Sequence, residues 1–90
     1  MVNLIKFISG KLEKRFDSFE KAFLDLQNNL SEIIELDCSF SGITKIPSWI
    51  GKLTNLQTFY CNSNEIQVIP PEIRELTSLQ RFYCEINQIK

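Results

Sequence analysis

Apolar and polar positions follow two regimes along this chain, and the second begins at Ile33. From there the apolar residues recur with a shift of 23. Ile33, Leu36, Cys38, Ile43, Ile46, Ile50 and Leu53 are matched by Leu56, Phe59, Cys61, Ile66, Ile69, Ile73 and Leu76. Pro47 is matched by Pro70, and Leu79, Phe82, Cys84, Asn87 and Ile89 begin a third round. A fixed period of this length marks stacked supersecondary units. Within a unit, stretches such as LQTFYC alternate inward and outward side chains, the strand period of two. Strands are therefore predicted at 36–38, 59–61 and 82–84. Pro47 and Pro70 end the extended part because proline donates no backbone hydrogen bond. The spacing of Ile50 with Leu53, and of Ile73 with Leu76, predicts a short helical or 3₁₀ turn behind the strands. Asn64 and Asn87 stand where a strand bends into a loop and can satisfy its backbone, while Ser41 does part of that work in the first unit.

The first thirty residues carry no such repeat. Their apolar residues Ile5, Ile8, Leu12, Phe16, Phe19, Phe23, Leu26 and Leu30 step by 3, 4, 4, 3, 4, 3 and 4, which predicts amphipathic helix. Asp17 with Glu20 fits a capping box, favouring two helices with a joint near Asp17; unbroken phase through Phe16, Phe19 and Phe23 would make one long helix. A repeat array exposes its core at the ends, so this segment reads as an N-terminal cap. A membrane-surface helix is a poorer fit, because Asp17, Glu20 and Asp25 dilute the basic charge such helices carry.

The repeated pattern, LxxLxLxxNxLxxLPxxIxxLxx with Ile, Phe and Cys at some leucine positions, resembles the leucine-rich repeat family in its 23-residue intracellular class. It covers units 33–55 and 56–78 and a truncated unit 79–90. The FYC and IPPEI stretches also resemble short repeat proteins encoded by large DNA viruses of amoebae. The family resemblance implies an α/β fold: a short right-handed solenoid with parallel strands on its concave side, here with residues 1–32 as an α-helical cap. It also implies protein binding on the concave face.

Ninety residues make one small domain, and the charge is balanced, with ten Lys+Arg against eleven Asp+Glu. Such balance offers no field to gather nucleic acid or an acidic membrane. No apolar run approaches the ~18 residues of a membrane span, and the start MVNLIKFISGK makes a poor signal peptide. Val2 excludes myristoylation. Three cysteines without an export signal point to a reducing, cytoplasmic setting, the host cytoplasm if the chain is viral.

Catalytic chemistry is sparse. There is no histidine and no glycine-rich phosphate loop, so no enzyme activity, cofactor or metal is expected. Cys38, Cys61 and Cys84 recur at an inward strand position. They are read as buried core hydrophobes rather than as a metal or redox site, since adjacent parallel strands suit neither tetrahedral zinc nor a disulfide. Trp49 is expected to pack against the N-terminal helix, with a binding anchor as the alternative.

The candidate protein-binding residues are the outward strand positions Glu35, Asp37, Thr58, Tyr60, Asn62, Arg81, Tyr83 and Glu85. Stacked Tyr60 and Tyr83 bring large contact area with a polar tip, although cross-strand packing alone would also explain them. The third unit breaks off, leaving a strand edge without counterparts to Ile69 or Leu76. Self-association, as a homodimer, is therefore expected through Leu79, Phe82, Cys84, Ile86 and Ile89. The expected function is a non-catalytic interaction module that self-associates. The alternatives are a self-assembly unit with no other partner, including a domain-swapped dimer, and a piece of a larger repeat protein.

Overall fold

A computed structural model describes residues 4–10 and 12–87. It corrects the expected fold. Among the described residues the molecule is a five-stranded sheet of mixed antiparallel and parallel pairing with one α-helix, not an all-parallel solenoid behind an α-helical cap. The expected N-terminal helix is overturned over residues 5–16. Strands β1 (Ile5–Ser9) and β2 (Leu12–Phe16) form an antiparallel hairpin, with Ser9 opposite Leu12. Helix α1 (Phe19–Leu26) follows, then β3 (Glu35–Asp37), β4 (Thr58–Tyr60) and β5 (Arg81–Tyr83). The sheet order is β2-β1-β3-β4-β5.

Local chemistry explains the hairpin. Ile5 and Phe7 are buried while Lys6, Ile8 and Ser9 are half-buried, the alternation of a strand with one covered face. Gly10 sits at φ 55°, where a two-residue hairpin turn wants glycine. The helical spacing of Ile5, Ile8, Leu12 and Phe16 was a coincidence of period. It missed Phe7, which is 1% exposed, and included Leu12, which is 67% exposed.

Helix α1 starts just after the expected joint, with Ser18 rather than Asp17 as its N-cap. The Ser18 hydroxyl accepts from the Lys21 N–H at 3.2 Å. Asp17 bonds the Lys21 ammonium instead, at 3.0 Å. Phe19, Ala22 and Leu26 face the core.

Strands β3, β4 and β5 pair in parallel, Leu36 beside Phe59 and Phe59 beside Phe82, so the register advances by the 23 residues of the sequence period. Each strand begins one residue earlier than predicted. Behind the sheet, 3₁₀ turns cover Ser48–Lys52 and Pro71–Glu75. One backbone bond recurs at the foot of each parallel strand: the N–H groups of Ile33, Leu56 and Leu79 donate to the carbonyls of Leu30, Leu53 and Leu76. The two long 3₁₀ turns approach closely at Gly51. A Cβ there would lie 3.2 Å from the Glu72 carbonyl oxygen and 2.8 Å from Glu75 Oε2.

A single core runs from the hairpin to the last turn and holds Ile5, Phe7, Leu36, Phe59 and Leu76. Trp49 ties the N-terminal segment to it, as expected. Its ring lies 5.4 Å from that of Phe23, 5.8 Å from Phe19 and 6.3 Å from Phe7.

Candidate functional site

Core side chains occupy one face of the sheet, and the other face meets solvent. The register sets two rows across that outer face. One row reads Arg15, Lys6, Asp37, Tyr60, Tyr83, and the other reads Glu13, Ile8, Glu35, Thr58, Arg81. Lys6 stands opposite Asp37, an opposite-charge cross-strand pair. Arg15 is bridged to Glu13 along β2 at 2.7 Å. The Tyr60 and Tyr83 rings stack with centroids 5.1 Å apart.

The expected binding residues Glu35, Asp37, Thr58, Tyr60, Arg81 and Tyr83 therefore share one face. Asn62 and Glu85 lie just beyond the strand ends and are joined to each other, the Glu85 N–H donating to Asn62 Oδ1 at 2.7 Å. Half of Asn62 is thus committed to structure. Asp37 is likewise engaged, accepting the Ser39 N–H at 3.0 Å. Sequence reasoning missed Lys6, Ile8, Glu13 and Arg15. The signal was present in the alternation of Ile5 and Phe7 with Lys6 and Ile8, ahead of Gly10. With the hairpin added the face is five strands wide, on the order of 19 Å at ~4.8 Å spacing.

Two asparagines brace the strand ends. Asn64 Nδ2 donates to the carbonyls of Cys38 at 2.9 Å and Cys61 at 3.0 Å, while its Oδ1 accepts the N–H groups of Ser41 and Ile43, both at 3.0 Å. Asn87 repeats the arrangement on Cys61 and Cys84, at 2.9 and 3.1 Å. Ser41 supplies only one such bond, to the Ser39 carbonyl at 3.1 Å. Each loop then turns through a left-handed residue: Phe40, Ser63 and Ile86 have φ of 55°, 57° and 55°.

The expected self-association residues divide. Leu79, Phe82 and Cys84 are half-buried beside β5, whereas their counterparts Leu56, Phe59 and Cys61 are fully covered. Ile86 is 78% exposed and belongs to the left-handed column with Phe40, not to the end wall. Ile89 lies outside the described residues.

All three cysteines are free, but Cys84 corrects the expectation that all are buried. Burial pushes the Cys61 thiol up to about 12, and Cys84 adds to the rise. Burial raises Cys38 further, helped by Cys61 and Asp37. These are protonated, unreactive thiols. Among the described residues no cluster of three or more His, Cys, Asp or Glu is placed to hold a metal, and no helix is long and apolar enough to cross a membrane. A cleft of about 260 Å³ opens between the hairpin and the end of α1, lined by Phe7, Leu12, Lys14, Leu26 and Glu32 among others. It lies below the ~300 Å³ at which small-molecule sites begin. No known family model and no curated protein matches the chain.

Proposed function

We propose that the chain is a non-catalytic interaction module whose outer sheet face, from Arg15 to Tyr83, receives a protein surface. The observation that carries this reading is the Tyr60–Tyr83 stack, set on an open sheet face beside Asp37, Lys6 and Arg15. Stacked rings are held before binding, so little side-chain entropy remains to be lost. A flanking mixture of charges supplies orientation more than affinity. The resemblance of residues 33–90 to leucine-rich repeats favours the same use. The two buried thiols, Cys38 and Cys61, fit it as well, and a reducing, intracellular setting suits three free cysteines.

The test is affinity capture from cell extract with the unaltered chain, with Tyr60→Ala and with Arg15→Glu, each confirmed as folded by circular dichroism. A partner that the unaltered chain retains and both variants lose supports the face. A partner retained equally by all three removes it.

A second reading, self-assembly, is favoured by a different observation. The β5 end leaves Leu79, Phe82 and Cys84 only half-covered.

A further inference from the structure

We infer that two copies of this chain join edge to edge through β5, antiparallel, about a two-fold axis at Tyr83. The inference rests on the strand edge and holds whatever the outer face binds.

The two edges of the sheet differ. On β2, Glu13, Lys14 and Arg15 are consecutive, exposed and charged, and Lys14 is bridged to Asp25 at 3.3 Å. Charged side chains on an edge discourage pairing with another chain. On β5 the sequence is Arg81, Phe82, Tyr83, with one charge and two aromatic rings. The backbone of β5 has pairing capacity left over. The Arg81 N–H donates to Gln57, and the carbonyls of Tyr83 and Glu85 accept from Cys61 and Ser63 on the β4 side. Strand alternation turns the backbone groups of Phe82 and Cys84 the other way. Among the described residues no strand lies beyond them.

A two-fold axis makes paired strands antiparallel and forces each contact to occur twice. Opposed residues must point to the same face, so the axis passes through a residue. Centred on Arg81, it would set two guanidinium groups against each other. Centred on Tyr83, Arg81 of one copy meets Glu85 of the other, twice. Phe82 then meets Cys84 on the core side, and these are the residues whose backbone groups point outward. The half-covered apolar side chains of both copies come together on one side. On the other side Tyr83 meets Tyr83, so the tyrosine stack runs through both copies. Arg81 and Glu85 are both exposed, so this complementarity is available without repacking.

Exposure also makes the charges safe to exchange. The experiment is sedimentation equilibrium or light scattering on the unaltered chain, Arg81→Glu, Glu85→Arg and the double exchange, with folding checked by circular dichroism. The expected result is a concentration-dependent dimer whose dissociation constant rises roughly tenfold or more in each single variant and returns toward the original in the double exchange. A monomer at every concentration would overturn the inference and leave the edge to a strand from another protein. A dimer unaffected by the single exchanges, or not restored by the double, would overturn this register.

Discussion

The rings of Tyr60 and Tyr83 lie parallel, with 7° between their planes and 5.1 Å between their centroids. Their backbones are direct partners in the parallel ladder of β4 and β5, so the stack follows from a register that advances by one sequence period. Beneath them, Phe59 and Phe82 pair at 5.2 Å on the core side. One pair of residues per strand therefore does two jobs: phenylalanine builds the core and tyrosine faces outward. The tyrosines border a charged region contributed by a hairpin far away in sequence.

That hairpin makes the sharpest stability prediction. Phe7→Ala should cost about 3–5 kcal/mol, because Phe7 is buried against Phe16, Phe19 and Trp49. Leu12→Ala should change stability by about 0.5 kcal/mol or less, since Leu12 is exposed. Urea unfolding of the two variants checks this. A helix over residues 5–16 would reverse the ranking.

The strands of residues 33–87 were legible because a buried position every second residue, repeated after 23, leaves few alternatives. Leu36, Phe59 and Phe82 fell where expected, and so did the bracing Asn64. The N-terminal fold was not legible, for a physical reason. Ile5, Ile8, Leu12 and Phe16 satisfy a helical stripe, and a five-residue strand offers too few positions for period two to win outright. Gly10 and the burial of Phe7 decide it, and burial depends on Trp49, more than forty residues away. The tyrosines were readable as a site. Lys6 and Arg15 join them only once β1 pairs with β3.

Asn64 carries more of the fold than its half-turn position suggests. Asn64→Ala would take its partner from the Cys38 carbonyl and from the Ser41 and Ile43 N–H groups, while the Cys61 carbonyl keeps Asn87, at a cost of about 3 kcal/mol. Asn87→Ala should cost less, about 1 kcal/mol, because Asn87 is only half-buried. Chemical denaturation of both variants measures the difference.

The left-handed residues predict a gain. Phe40 is 61% exposed at φ 55°, and Ile86 adopts the same φ despite its branched Cβ. Asparagine tolerates that region far better. Phe40→Asn and Ile86→Asn should each stabilise the chain by about 0.5–1 kcal/mol, read as a rise in Tm.

The thiols predict both a labelling order and a pH trend. Cys84 should react first with a thiol reagent, and Cys61 and Cys38 only on unfolding. Burial raises the latter two thiols in the folded chain, so between about 9 and 12 the unfolded chain holds fewer protons than the folded one. Their stabilising contribution is complete below the ordinary thiol value and is lost as pH rises through that window. Thermal melts from pH 8 to 11 should show Tm falling, with a shallower fall in Cys61→Ala.

The outer face is tested most directly by where it touches its partner. A photoreactive amino acid is placed at Thr58 on that face, or at Lys52 on the turn behind the sheet, and irradiated in cell extract. Mass spectrometry then identifies the adducts. The predicted result is a discrete protein adduct from Thr58 and none from Lys52. Adducts from Lys52 alone would contradict the assignment of the binding face.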